Sequence, residues 1–365
     1  MQTTPYQRLA ARLDALPNGF PPAPDGAELR LLEKIYLPEE AALAAELRLP
    51  LETAAQIALR LSSSGLGDFD PAALQDQLKT MARKGLIRAA RLDGGLGFGL
   101  MPFVVGVYEA QITRLDAEMA RLFEDYYVQS FGQALAPQPT FHRVIPVQES
   151  VRMDMEIHPF ESARALAERA QAWGVQDCIC RKQQALIGNA CEHPLDVCMA
   201  FAQTPGAFDR SPHFKALTLD QALDTLDRAA RAGLVHTVSN VQEDVTYICN
   251  CCTCSCGILR GISEMGLANA VAHSAFLNQV NEDLCNGCEL CIDSCQFNAL
   301  SMQDYLAHVE DLRCVGCGVC VLACPDGALE LVRRPESEIL PIPENQMVWG
   351  RQRSAARGID LSHVL

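Results

Sequence analysis

Apolar residues recur at helical spacing through most of the first hundred residues. The segment 25–49 predicts two helices, and "LETAAQIALRLSSSGLG" predicts a third. A fourth is predicted in "DPAALQDQLKTMARKG", with Asp70 as N-cap, Pro71 in the first turn and Gly85 as the stop. "LIRAARLDGGLGFGL" then predicts a hairpin around "DGG". Helices followed by a hairpin are typical of a winged helix, so residues 1–100 are predicted to form a winged-helix-like module.

The pattern changes in the middle of the chain. Residues 101–157 predict an apolar strand-like run, an amphipathic helix and a Pro- and Gln-rich linker. The aromatic residues of that helix favour core or dimer packing over cofactor contact. Residues 158–276 predict an α-rich unit with cysteines at both ends, including a helix whose capping box is Thr218 and Gln221. Residues 332–365 are predicted to be an extended C-terminal tail, packed on the chain itself or docked on a partner.

The charge of the chain disfavours DNA as a partner. The net charge is −15 over 365 residues, and residues 25–109 contain 12 acidic and 9 basic side chains. Phosphate contacts need a basic face. The module is therefore expected to serve docking or homodimerisation. The N-terminus lacks the apolar region of a secretory signal, and no apolar run reaches eighteen residues, so we expect a cytoplasmic protein without a membrane span.

All seventeen cysteines lie between residues 178 and 324. In a reducing compartment they indicate metal binding or redox chemistry rather than structural disulfides. Two runs, "CNGCELCIDSC" and "CVGCGVCVLACP", share the spacing C-x2-C-x2-C-x3-C, which is that of bacterial [4Fe–4S] sites. A pair of zinc sites is the disfavoured alternative, because the runs form an internal repeat.

This part of the chain, roughly residues 277–331, closely resembles the bacterial-type dicluster ferredoxin family. The resemblance implies a pseudo-twofold ferredoxin fold with two [4Fe–4S] clusters. It implies that one cluster is held by Cys285, Cys288, Cys291 and Cys324, and the other by Cys314, Cys317, Cys320 and Cys295. Gln296 stands where the family usually has proline, which changes the rigidity of the turn rather than the ligands. Nine acidic residues against one basic residue in 281–330 favour low potentials and a basic partner surface.

Nine further cysteines precede the ferredoxin-like segment, five of them in "CNCCTCSCG". They are Cys178, Cys180, Cys191, Cys198, Cys249, Cys251, Cys252, Cys254 and Cys256. We expect one or two additional [4Fe–4S] clusters here, with a zinc site as runner-up and a labile Cys251–Cys252 disulfide as a third reading. Neighbours in an extended stretch point to opposite sides, so Cys251 and Cys252 are expected to face different metals. His193 is a further candidate ligand, and Arg181 and Lys182 are expected to offset negative charge.

The whole chain also resembles a group of 4Fe–4S dicluster proteins of anaerobes that combine "PFVVG-YE", "CICR", C-x6-C and a "CNCC" run ahead of a ferredoxin. That resemblance implies little specific chemistry, and Thr253 and Ser255 interrupt the last run here. Nucleotide-binding and haem motifs do not occur in the sequence.

The sequence therefore predicts an α+β multidomain protein that relays low-potential electrons to a partner redox protein or oxidoreductase complex. It predicts an electron-transfer protein or oxidoreductase subunit rather than a stand-alone enzyme. The alternatives are a redox-sensing winged-helix transcriptional regulator and an enzyme whose substrate binds an open upstream cluster.

Overall fold

The structure is a computed structural model that describes residues 3–147, 150–152 and 155–365. The chain divides into two compact units. One comprises Met1–Ala134 with Gly350–Leu365, and the other comprises Leu135–Trp349. Helices and strands occur in both, so the predicted α+β class is confirmed.

The first unit starts with five helices and a small antiparallel sheet. Its elements are α1 (Pro5–Asp14), α2 (Ala27–Ile35), α3 (Pro38–Ala44), β1 (Glu52–Thr53), α4 (Ala54–Ser63), α5 (Pro71–Arg83), β2 (Arg88–Leu92) and β3 (Gly95–Gly99). The strand order is β1-β3-β2. The predicted N-cap of α5 is confirmed, because Asp70 accepts a hydrogen bond from the Ala73 N–H at 2.9 Å. Gly85 follows the helix with φ of 71°.

The apolar run after β3 does not form a strand. It forms an irregular turn at Phe103–Val107, because the Val107 N–H bonds back to the Pro102 carbonyl at 2.9 Å rather than to a neighbouring strand. Helix α6 (Ala117–Gln129) follows, and its aromatic side chains lie in the core. The Tyr108 and Phe123 rings stack with centroids 3.8 Å apart, in agreement with the packing role expected for this helix.

The C-terminal segment contains helix α13 (Gln346–Arg357) rather than an extended tail. The Asn345 side chain starts the helix by accepting a hydrogen bond from the Val348 N–H at 3.1 Å. Arg353 is fully buried and donates to the carbonyls of Pro17 and Ala134. The proline-rich composition before Asn345 concealed this helix in the sequence.

The second unit is built on a six-stranded antiparallel sheet, so the prediction of an α-rich unit in 158–276 is wrong. The strand order is β4-β8-β9-β6-β5-β7. The strands are β4 (His142–Val144), β5 (Ala172–Gln176), β6 (Cys198–Ala202), β7 (Lys215–Leu217), β8 (Val235–Ser239) and β9 (Tyr247–Cys251). The helices of this part are α7 (Ala163–Glu168), α8 (Ile179–Leu186), α9 (Leu219–Arg231) and α10 (Gly257–Ser263). All five residues of β8 are buried, so its sequence shows none of the alternation that indicates a strand.

The two cysteine runs lie in matching halves of the remaining part of the second unit. Strand β10 (Phe276–Val280) pairs with β13 (Leu329–Arg333), and β11 (Leu300–Gln303) pairs with β12 (Leu306–Val309). Each run leads into a short helix, α11 (Leu290–Asp293) or α12 (Val319–Ala323). Gly287 and Gly316 hold equivalent positions with φ of 74° and 69°, as expected for a repeated loop.

Substitution of Gly316 by alanine tests how tightly the second loop is packed. A Cβ at Gly316 would lie 2.0 Å from the Phe276 carbonyl oxygen, whereas one at Gly327, with φ of 63°, meets nothing within 4 Å. Both substitutions carry a backbone cost of about 1–2 kcal/mol. We expect Gly327→Ala to lower the melting temperature of the anaerobically purified protein by roughly 2–8 °C and Gly316→Ala to lower it clearly further. Equal shifts in a thermal scan would contradict the packing described here.

Candidate metal centres

The first cysteine run and the last cysteine of the second run line one pocket. Cys285, Cys288, Cys291 and Cys324 all border it, together with Gly287 and other loop residues. A Cβ atom at position 287 would lie 2.6 Å from the Tyr305 carbonyl oxygen. Gly287 avoids this contact because it has no side chain. Cys288 is exposed and Cys291 is buried, so this set reaches from the surface into the protein.

The second set lies deeper. Cys314 and Cys320 are buried, and Cys295 from the first run exerts an electrostatic effect on both of them and on Cys317. Burial raises the pKa of Cys317 to about 12 and raises that of Cys320 well above its ordinary value. The structure thus brings together the two sets of four thiols that the ferredoxin resemblance implies.

Hydrogen bonds to sulfur recur in both sets at equivalent places. The Ala299 N–H donates to Cys295 Sγ at 3.3 Å, and the Ala328 N–H donates to Cys324 Sγ at 3.2 Å. Donors of this kind stabilise negative charge on sulfur. The two cysteine runs therefore share these hydrogen bonds to sulfur as well as the same backbone conformation.

Asn278 adds a side-chain donor to the second set. Its Nδ2 lies 3.4 Å from Cys320 Sγ, and its Oδ1 is buried with no hydrogen-bond partner among the described residues. A buried amide that lacks half its partners costs free energy. The sequence offered no signal that sets this residue apart from the adjacent polar Gln279.

The donor chemistry of the eight thiols fits iron–sulfur clusters. Both sets consist of sulfur atoms alone, arranged around loops that turn at glycine, and soft thiolate donors are the ligands of such clusters. Burial that raises thiol pKa values is offset when a metal centre binds the thiolates. Cys285, Cys288, Cys291 and Cys324 would hold one cluster, and Cys314, Cys317, Cys320 and Cys295 the other.

The nine upstream cysteines divide into two groups. Six of them act on one another's pKa values as a closed ring of neighbours, and we call these cysteines the six-thiol set. In ring order it contains Cys178, Cys180, Cys256, Cys251, Cys249 and Cys198. Cys249 and Cys251 are two residues apart on strand β9 and so share a face. Hydrogen bonds from Cys180 and Cys198 hold the pKa of Cys178 well below its usual value.

The other three cysteines form a compact group at the end of β9. The Sγ atoms of Cys191, Cys252 and Cys254 all lie within 4.8 Å of one another, and we call them the three-thiol set. Cys251 and Cys252 belong to different sets, as the alternation of an extended strand predicts. Ser255, which interrupts the run, is buried and donates through Oγ to Cys191 Sγ at 3.5 Å.

Arg181 lies between the two upstream sets. It is 2% exposed, and its guanidinium donates to the Asn250 carbonyl at 3.1 Å and to Cys252 Sγ at 3.6 Å. Burial alone would lower the pKa of Arg181, but the thiolates of Cys178 and Cys252 raise it overall. The predicted charge-offsetting role of Arg181 therefore has a geometric basis. Lys182 is the next residue in α8, and no contact places its side chain in either set.

Two other sequence-derived expectations concern His193 and Gln296. His193 Nδ1 lies 3.0 Å from the Ala232 carbonyl oxygen, and the histidine is not part of the compact three-thiol group. Gln296 accepts a hydrogen bond from the Thr253 N–H at 2.7 Å and donates to the Gly233 carbonyl. The residue that replaces the usual proline thus fastens the ferredoxin-like segment to the upstream cysteine loop.

Comparison with known proteins identifies one part of the chain. A family model described as a 4Fe-4S dicluster domain matches residues 284–328, a segment that contains both cysteine runs. No curated protein and no solved structure matches the chain. Among the described helices, none has the length and apolar content needed to cross a membrane. The second unit therefore contains a ferredoxin-like 4Fe–4S dicluster domain at its C-terminal side.

Proposed function

We propose that the protein relays low-potential electrons between [4Fe–4S] clusters and a partner oxidoreductase, as a subunit of a redox complex. The observation that supports this most is the exchange of fourth cysteines within the matched domain. Cys324 borders the pocket of the first run, and Cys295 acts on the thiols of the second. A bound [4Fe–4S] cluster supplies a one-electron carrier. The chain contributes the thiolates, the N–H groups directed at sulfur and the acidic surroundings.

The six-thiol set is the proposed place of an additional iron–sulfur cluster. Among the described residues, no three of its thiols form a group as compact as the three-thiol set. The ring offers more sulfur donors than the four that a cubane needs. Arg181 stands on one side of it and offsets part of its negative charge.

The surface beside the first ferredoxin set suits a partner with a basic rim and an apolar centre. Leu284, Leu290 and Tyr305 are exposed there, the last at 90%. Glu289, which precedes Leu290 in the sequence, is exposed as well. Apolar contacts supply affinity, and complementary charge supplies steering and orientation. The exposure of Cys288 makes this set the natural point of electron exchange.

The first unit is proposed to be a winged-helix-like docking or homodimerisation module. The order of helices α3, α4 and α5 and a small sheet of strand order β1-β3-β2 support this proposal. Exposed Leu59, Leu66 and Leu92 lie on its helices, loop and hairpin. On α5, Lys79 Nζ lies 3.2 Å from Asp76 Oδ1. This ion pair offsets positive charge on the helix that would contact DNA.

Iron and sulfide content tests the number of clusters. We expect about 12 iron and about 12 acid-labile sulfide per chain after anaerobic purification, since three cubanes contain four of each. The triple substitution of Cys180, Cys198 and Cys249 by serine leaves three thiols in the six-thiol set, fewer than a cubane needs. It is expected to lower iron to about 8 and leave the ferredoxin-type signals intact. Electron paramagnetic resonance of the dithionite-reduced protein is expected to show two interacting [4Fe–4S]⁺ centres.

Cys317→Ser is the matched substitution in the dicluster domain. It is expected to abolish the interaction between the two centres and to leave the upstream cluster in place. About 8 iron in the unsubstituted protein would exclude a cluster in the six-thiol set. A spectrum without coupled [4Fe–4S]⁺ centres would contradict the electron-transfer proposal itself.

Asn278 is expected to raise the potential of the deeper ferredoxin centre through its bond to Cys320 Sγ. Asn278→Leu removes that donor and should lower the potential by roughly 20–60 mV, which corresponds to about 0.5–1.5 kcal/mol of hydrogen-bond free energy for one electron. Protein-film voltammetry measures the shift. Gln279→Leu is the control, since Gln279 is exposed on the same strand. Equal potentials for the two variants would show that the Asn278 contact has no electrostatic effect.

A further inference from the structure

The spacing of the three-thiol set distinguishes it from every other group of cysteines in the described chain. Zinc binds thiolates at about 2.3 Å, so two thiolates on one tetrahedral ion lie about 3.8 Å apart and at most about 4.6 Å apart. The three Sγ atoms of Cys191, Cys252 and Cys254 all lie within 4.8 Å of one another. The distances between these Sγ atoms are therefore close to those that a single bound zinc ion requires.

The ferredoxin sets serve as an internal comparison. Their thiols are the ligands expected for four-iron clusters, in which each sulfur binds a different iron around an inorganic core. Among the described residues, neither these sets nor the six-thiol ring contains three ligand atoms as close together as the three-thiol set. The two kinds of spacing in one chain indicate two kinds of metal centre.

We propose that Cys191, Cys252 and Cys254 bind one zinc ion and leave its fourth position open to an external ligand. Three thiolates on a divalent ion leave one net negative charge, and the buried Arg181 guanidinium lies 3.6 Å from Cys252 Sγ to balance it. Ser255 Oγ and the His193 backbone N–H donate to Cys191 and stabilise its thiolate. This site shares no ligand with the proposed iron–sulfur clusters, so it stands or fails independently of them.

The fourth position has no protein ligand in this arrangement. Among the described residues, no histidine, carboxylate or further cysteine joins the compact group. Cys254 is exposed, so the site opens to solvent. Zinc sites with three protein ligands and one exchangeable position are typical of catalytic zinc. Sulfur donors suit this ion, so the ligand class is water exchanging with a small thiol, which binds as the thiolate and releases one proton and the water.

Metal analysis of matched variants tests where the zinc lies. We expect about one zinc per chain in protein purified anaerobically without added thiols. Cys254→Ser should remove it and leave the iron content unchanged. Thr253→Ala, in the same loop, should retain it, because Thr253 bonds to Gln296 through its backbone N–H, which alanine keeps. Cys180→Ser, in the six-thiol set, should retain zinc.

Zinc K-edge X-ray absorption of the unsubstituted protein tests the open position without any variant. It should show three sulfur ligands at about 2.3 Å and one oxygen or nitrogen ligand, and 2-mercaptoethanol should raise the sulfur count to four. Ser255→Cys places a thiol beside Cys191 and should give four sulfur ligands before any thiol is added.

Three results would overturn the proposal. The first is an unsubstituted protein without zinc. The second is a loss of about four iron in Cys254→Ser, which would show a cubane at this site. The third is zinc that already has four sulfur ligands, or that leaves with Cys180→Ser instead of Cys254→Ser.

Discussion

The concentration of thiols in the second unit is the constraint on which the rest of the structure depends. Seventeen cysteines lie within 147 residues, from 178 to 324. Burial is the largest of the causes that raise the pKa of Cys317 to about 12, because a thiolate removed from water loses its solvation. Metal centres reverse that preference, since they bind the thiolate and supply the opposing charge. The stability of this fold is consequently linked to the binding of metal by its thiols.

The backbone places cysteines that are close in sequence in separate sets. Cys249 and Cys251 lie on strand β9 and belong to the six-thiol set. Cys252 directly follows the strand and belongs to the three-thiol set. Arg181 lies between them as a shared cation. Gln296 then ties this region to the ferredoxin-like segment through Thr253 and Gly233. These bonds connect the upstream cysteine loop to the ferredoxin-like segment, and under the proposed function they would keep the distance between the metal centres constant.

The parts of this arrangement that are local in sequence were predictable. The caps at Asp70 and Thr218 are confirmed, because a cap depends on residues three positions apart. The dicluster segment follows from cysteine spacing, and the separation of Cys251 from Cys252 follows from strand alternation. The six-stranded sheet was missed because its strands are short and β8 is buried on both faces.

Other features depend on contacts between residues far apart in the chain. The partition of nine cysteines into sets of six and three joins residues from 178 to 256, and no local spacing specifies it. The Asn278 contact to Cys320 spans 42 residues, and the strand sequence does not distinguish Asn278 from its polar neighbour Gln279. Gln296 was recognised as a departure from the ferredoxin pattern, but its partners at Thr253 and Gly233 became evident only in the folded chain.

The most direct test of this account is anomalous diffraction from anaerobically grown crystals, recorded on both sides of the iron and zinc K edges. The account predicts iron within both ferredoxin sets and within the six-thiol set, and zinc alone between Cys191, Cys252 and Cys254. Iron at the three-thiol set, or its absence from the pocket of Cys285, Cys288, Cys291 and Cys324, would contradict it.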